Sequence, residues 1–208
     1  MTADNQQGSR SKLKWFWIDP SETTRRAPRL RIYRAYLQGA LHDGTYNRLH
    51  RTFRFVQKER HWLERLQSMF QAIGVKSWIY REGKNRNLHA LETTAPFLQI
   101  HYDSKRLLER QEKIAYARGY FDAEGGIPQN NGSFYIQFSQ KNLNDIKGLR
   151  SIVVGLGIDC GVLHNPSIKK DPNYWRFFIL RNSHKQFLKL IGSWHPRKEL
   201  ILCKRMVI

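Results

Sequence analysis

Hydrophobic and polar residues alternate in two well-separated stretches of the chain. In RLHRTFRFVQ (residues 48–57), Leu49, Phe53 and Phe55 share one parity, and Arg48, His50, Thr52 and Arg54 share the other. In SFYIQFSQ (133–140), Phe134, Ile136 and Phe138 alternate with Ser133, Tyr135, Gln137 and Ser139. Period-two alternation predicts strands with one buried and one polar face. A helical pattern follows each stretch, ERHWLERLQSMFQAIG (59–74) and NLNDIKGLRSIVVGLG (142–157), and each ends on glycine. Further strand candidates are VKSWIYRE, where Lys76, Trp78 and Tyr80 alternate, then NLHALETT, CGVLHNP and YWRFFILR. The last is apolar at both parities, so its pattern selects no face, though Arg176 and Arg181 are available on it. Closing helices are expected near 94–103 and 183–192, and opening helices over 31–42 and 113–123.

The two sets of elements come in one order because the chain contains itself twice. AYLQGALHDG begins at Ala35 and AYARGYFDAEG at Ala115. Both open Ala-Tyr, carry glycine at the fifth position and end acid-glycine. Downstream, FVQK (55–58) answers FSQK (138–141), and 16 residues separate Lys58 from Gly74 as they do Lys141 from Gly157. A unit of about 80 residues is therefore duplicated. The expected organisation is a basic N-terminal extension (1–30), a first half-domain (31–103), a charged linker (104–112) and a second half-domain (113–208). In each opening helix, Ala35 with Gly39 and Ala115 with Gly119 lie four apart on one face, which permits close approach of another backbone.

Charge narrows the partner. The 208 residues include 36 Lys and Arg against 17 Asp and Glu, a net charge of +19, which points to a polyanion. No apolar run approaches bilayer length, and the first residues are polar to Trp15 without a secretory core, so membrane attachment and secretion rank low. The expected setting is intracellular, whether cytoplasm, nucleoid or organelle. Two cysteines, Cys160 and Cys203, give neither a zinc site nor a disulfide framework. The eight histidines lack metal-ligand spacing, and no nucleophile–His–Asp set is apparent.

ARGYFDAEGG resembles the signature of LAGLIDADG homing endonucleases, and YLQGALHDG resembles a divergent first copy. The likeness spans about 31–200, nearly the whole chain. It implies an α+β fold of two pseudo-twofold-related αββαββα half-domains, each with a curved antiparallel sheet, joined through the paired signature helices. It also implies a monomer that binds a long asymmetric site in double-stranded DNA. The helix ends would lie over the minor groove, the sheets in the flanking major grooves, and hydrolysis of both strands with Mg²⁺ would leave staggered ends. Mn²⁺ would substitute, and Ca²⁺ would bind without supporting cleavage. One departure stands out: Gly119 to Glu124 is five residues, but Gly39 to Asp43 is four.

Asp43 and Glu124 are the candidate metal ligands, because phosphodiester hydrolysis needs hard cations on carboxylate oxygen. A lone Asp-Gly would more simply cap a turn; recurrence at equivalent places in a basic duplicated chain favours catalysis. Asp122 is the weaker carboxylate. The resemblance adds the backbone carbonyls of His42 and Ala123 as metal ligands. It also implies that Gln57, Lys58, Gln140 and Lys141 reach toward the active site, where Lys can stabilise phosphate charge and Gln can orient water. The DNA-reading set comprises Tyr46, Arg48, His50, Thr52, Arg54, Lys76, Trp78, Tyr80 and Arg86 in the first copy. In the second it comprises Gln129, Asn130, Asn131, Ser133, Tyr135, Gln137, Ser139, His164, Lys169, Lys170, Arg176 and Arg181. Individually each could be a solvated residue; as sets on concave sheets they fit groove readout. Alternatives are a cleavage-inactive DNA-binding protein, an intron-splicing maturase with RNA as partner, and a basic RNA-binding protein, which explains the charge but not the paired acids.

Overall fold

A computed structural model describes residues 26–128 and 132–205. Its centre is a pair of helices, α1 (Arg26–Ala40) and α3 (Arg110–Glu124), packed backbone to backbone. A Cβ placed on Gly39 would sit 2.1 Å from Tyr116 O and 2.9 Å from Tyr120 N. One placed on Gly119 would sit 2.1 Å from Tyr36 O and 2.9 Å from Ala40 N. The two sets of contacts are reciprocal, so a pseudo-twofold axis passes between the glycines. Ala35 and Ala115 are buried beside them.

Each central helix leads into an antiparallel sheet. β1 (Gly44–Asn47), β2 (Thr52–Gln57), β3 (Ser77–Arg81) and β4 (His89–Thr93) form the first, in the order β1-β2-β4-β3. α2 (Arg60–Ala72) covers one face, burying Trp62, Leu63, Leu66, Met69 and Phe70 against Phe55 and Leu91. β5 (Gly125–Gly126), β6 (Gln137–Gln140) and β7 (Trp175–Phe178) form the second, in the order β5-β6-β7. The counterpart of β3 is there reduced to two bridges, Cys160 to Ile179 and His164 to Arg176. α4 (Leu143–Gly155) and α5 (His184–Leu190) cover that sheet. Asn142 caps α4, its Oδ1 accepting from Asn144 N at 2.9 Å and Asp145 N at 3.3 Å. Phe138 stacks on Phe177 at 5.1 Å and Phe121 meets Phe187 edge-on at 5.0 Å, filling the second core.

Several sequence expectations are corrected. No helix forms over 94–103. Thr93 Oγ1 accepts from Ala95 N, and Gln38 of α1 brackets Gln99, donating to its carbonyl at 2.7 Å and accepting from its N–H at 3.0 Å. Side chains thus satisfy the backbone that a helix would have satisfied, and Pro96 disfavours helix at Ala95 before it. Strand β2 begins at Thr52, not residue 48, because Asn47 Oδ1 accepts from Leu49 N and His50 N and turns the chain. Arg51 there has φ +52°, and Leu49 points outward at 85% exposure instead of into the core. Regular pairing in SFYIQFSQ starts at Gln137. α1 begins at Arg26 and α3 at Arg110, so residues 26–30 and 110–112, read as extension and linker, are helical. α3 starts early because Glu112 Oε2 accepts from Glu109 N at 3.2 Å, the back-bond of a capping box. A terminal helix, α6 (Pro196–Arg205), opens on a proline at its first position, as helices tolerate.

Gly39→Ala or Gly119→Ala should force the central helices apart and destabilise the protein by about 1–3 kcal/mol or more in urea denaturation. Gly155→Ala, at an exposed helix position with open space around it, should be neutral or stabilising by up to about 1 kcal/mol.

Candidate active site and DNA-facing surfaces

The register question in the first copy is answered at the end of α1. Tyr36, Gly39 and Ala40 correspond to Tyr116, Gly119 and Tyr120 at a constant offset of 80. Beyond Ala40 the chain tightens into a 3-10 turn, Leu41–Asp43, whereas α3 stays α-helical through Glu124. Three residues of 3-10 helix advance about 6 Å, as do four residues of α-helix. The tighter winding compensates for the missing residue and brings Asp43 level with Glu124.

Asp43 accepts a short hydrogen bond from Gln57 Nε2 of β2. Desolvation beside the helix pair pushes its carboxyl up to about 6, against the opposing pull of Lys198 and the Gln57 bond. Burial and then the Asp43 charge push Glu124 up to about 7, with Lys198 opposing. Each acid thus sits in a place that disfavours its negative charge. Among the described residues no group of three or more His, Cys, Asp and Glu could hold a metal. A cation here would take two carboxylates and complete its shell with carbonyl, phosphate or water oxygens, the donor set of Mg²⁺, Mn²⁺ or Ca²⁺. The residues fit such an ion. In the last turn of α3, Lys198 Nζ donates to the carbonyls of Phe121 and Asp122, and Ser139 Oγ to that of Glu124. The carbonyl of Ala123 is the remaining one of that turn.

Asp122 is not part of this mouth. It is 1% exposed, and accepts from Tyr36 OH at 2.5 Å, Trp194 N at 2.9 Å and Ser193 Oγ. Its counterpart at the same offset is His42, whose Nε2 lies 2.7 Å from Tyr116 OH. The two tyrosines thus each cross the axis to a polar side chain, an acid on one side and an imidazole on the other. Burial lowers His42 to about 4, so the ring is neutral at physiological pH; it lies against the Tyr120 ring, tilted by 36° with centroids 4.0 Å apart.

Sequence reasoning missed Lys198. It is 6% exposed, on α6, and burial lowers its ammonium to about 8 against the pull of Asp122, Glu124 and Asp43. One lysine in a polar terminal helix carried no signal; Ser193 and Trp194, which dock that segment on Asp122, carried little more.

The Gln-Lys pairs are not equivalent. Gln57 alone of the four touches a candidate acid. Lys58 is exposed at the entry to α2. Gln140 Oε1 accepts from Lys141 N at 2.6 Å, and Lys141 Nζ lies 3.2 Å from Asp171.

On the first sheet, Thr52, Arg54, Trp78 and Tyr80 share the face opposite α2, with His50 at its rim, around a depression of about 500 Å³. At its floor is Glu92, which the sequence reading passed over. It accepts from Tyr80 OH at 2.7 Å, and the Arg54 guanidinium forms ion pairs with Glu92 at 3.0 Å and with Glu82 at 3.2 Å. Thr52 Oγ1 donates to Glu92 at 3.4 Å and is buried, not a solvated strand residue. Tyr46 pairs across the ladder with Phe53 at 5.0 Å, so it lies on the other face. Arg48 and His50 belong to the β1–β2 turn instead of a strand face. Lys76 precedes β3 and Arg86 lies in the β3–β4 loop, both exposed.

On the second sheet the ambiguous strand resolves. Phe177 and Ile179 face the core; Arg176 and Phe178 face out. Tyr135, Gln137, Ser139, His164 and Arg176 gather there, with Arg176 Nε 3.2 Å from His164 Nε2 and its guanidinium 5.2 Å from the Phe178 ring. Ser133, Lys169, Lys170 and Arg181 are exposed around it. Gln129, Asn130 and Asn131 lie outside the described residues.

The raised carboxyls set a sign. Both folded values exceed the ordinary 3.8 and 4.5, so between about 4 and 7 the folded state holds protons that the unfolded state has lost. Metal-free stability should therefore fall as pH rises through that window, and Asp43→Asn with Glu124→Gln should flatten the profile in urea titrations. Divalent-cation affinity should run the other way, weakening as pH falls below about 7.

A family profile described as a LAGLIDADG-like domain matches residues 111–192. No curated protein matches the sequence. Among solved structures, the homing endonuclease I-DmoI in complex with DNA and Mn is similar at 20% identity and a TM-score of 0.57, over 80% of this chain and 99% of that one. I-DmoI with DNA and Ca matches at 17% and 0.60, over 84% and 98%. Full-length DUF199/WhiA from Thermatoga maritima matches at 16% and 0.60, over 86% of this chain and 62% of its own. Residues 111–192 are thus similar to the LAGLIDADG-like domain, and the chain as a whole shares the fold of these solved structures.

Proposed function

We propose that this chain is a monomeric, site-specific endonuclease that cuts both strands of DNA with a divalent cation. The observation that carries the reading is the level pairing of Asp43 and Glu124 at the ends of the central helices, between two sheets of a strongly basic chain. Asp43, Glu124 and the carbonyls of His42 and Ala123 would hold the metal. When bound, the ion supplies charge neutralisation at phosphorus and an acidified water. Gln57 fixes one carboxylate oxygen of Asp43, and the other would be a cation ligand. The sheets grip the flanks: Arg176 and Gln137 suit purine edges, Trp78 and Tyr80 offer apolar surface to thymine methyls, and the exposed lysines suit phosphate. I-DmoI, bound to DNA with Mn or Ca, supports divalent-metal use by this fold.

A second reading is a nucleic-acid-binding protein that does not cut. The tie of Lys141 to Asp171 and the folding of Gln140 onto its own backbone favour it, as does WhiA on the same fold, since fold alone does not select chemistry.

Incubation of a randomised duplex library with Mg²⁺, with Ca²⁺ as control, followed by sequencing of cut ends, separates the two. A single long motif cut at a fixed stagger is expected; binding in Ca²⁺ without cuts in Mg²⁺ would establish the second reading. On the recovered site, Asp43→Asn and Glu124→Gln should each lower cleavage on the order of 10²-fold or more while binding persists. Unchanged cleavage in both would remove these acids from the mechanism. Binding should weaken by about 10³-fold or more between 50 and 200 mM salt if six or more phosphates are contacted.

A further inference from the structure

Lys198 is a buried charge that the proposed chemistry leaves unused. It caps the carbonyl end of α3, two and three residues before Glu124, where the helix dipole is negative, and the carboxylate of Asp122, then those of Glu124 and Asp43, act on it. Of its three donors, one reaches Phe121 O at 2.6 Å and another Asp122 O at 2.9 Å. The Phe121 ring lies 5.2 Å from Nζ. Its place is fixed from several directions. Arg65 of α2 holds Trp194 O at 2.6 Å and Glu199 at 3.3 Å, and Asp122 holds Ser193 and Trp194 N. An ammonium removed from water is costly unless negative charge compensates it, and the carboxylates acting on it are Asp122, Glu124 and Asp43.

We propose that Lys198 is a positioning residue for the acid pair: a fixed positive charge, held by the carbonyls of α3, that offsets the repulsion between Asp43 and Glu124 and limits how tightly the pair takes a divalent cation. The offset belongs to the metal-free protein. The limit on cation affinity rests on the metal-ligand reading above.

Urea denaturation of the full chain at pH 7.5, low salt and no metal tests the offset. Lys198→Met should lower the midpoint, and Lys198→Arg should retain most of it. In an Asp43→Asn, Glu124→Gln background, at least half of the Lys198→Met loss should vanish, because the repulsion it countered is gone. An equal loss in both backgrounds would reduce Lys198 to a cap on α3 and overturn the proposal. If Lys198→Met folds only in the neutral background, the coupling is demonstrated; failure in both overturns it. Terbium(III) luminescence titration tests the limit. Lys198→Met should bind Tb³⁺ about 3- to 10-fold more tightly than the parent, since a nearby positive charge is gone. Unchanged affinity overturns that half. Tb³⁺ binding that survives Asp43→Asn with Glu124→Gln would instead remove the acids as ligands, and the denaturation comparison would still decide the role of Lys198.

Discussion

The backbone contact at Gly39 and Gly119 is the constraint on which the rest depends. Only hydrogen on each Cα lets a helix carbonyl approach so closely, and only that closeness brings the helix ends together. The acids, the tyrosines that cross the axis and the start of each sheet all take their positions from it. Tyr36 and Tyr116 occupy equivalent places because the glycines do, and β1 and β5 leave the axis directly after the acids.

Symmetry holds at the axis and decays away from it. The first copy lacks one residue before its acid and recovers the distance by tighter winding. Asp122 faces His42 across the axis, so one tyrosine meets an acid anchored by three donors and the other a neutral imidazole. The first sheet surrounds a buried glutamate, while the second presents Arg176 beside His164 and Phe178. Two faces with different chemistry would suit the asymmetric DNA target of the proposed function.

What the sequence disclosed follows the strength of local signals. The duplication, the central helices and the glycine contact were legible, because the motif repeats; the register of the first copy beyond Ala40 was not, since it depends on a 3-10 turn that the pattern does not report. The outward parity of Tyr135, Gln137 and Ser139 was legible too, as alternation survives where regular pairing does not. The face of residues 175–178 was not, since a strand covered by α4 and lined by aromatics is apolar on both sides. The missing helix over 94–103 depended on Gln38, some sixty residues away in sequence, which no local pattern reports. Glu92 and Lys198 were invisible for a related reason: each is a charge whose burial is settled by partners distant in the chain.

The terminal segment also bears on whether the halves are portable. α6 and the residues before it belong by sequence to the second unit, yet they close on the first. Trp194 packs on Tyr36 at 4.8 Å, His195 on Trp62 at 5.3 Å, and Arg65 binds both Trp194 O and Glu199. A chimera that grafted this second half onto a foreign first half at the linker would keep the glycine contact and lose that clasp. To exchange halves cleanly, Tyr36, Trp62 and Arg65 must travel with the terminal helix, so the unit of recombination is larger than the unit of duplication.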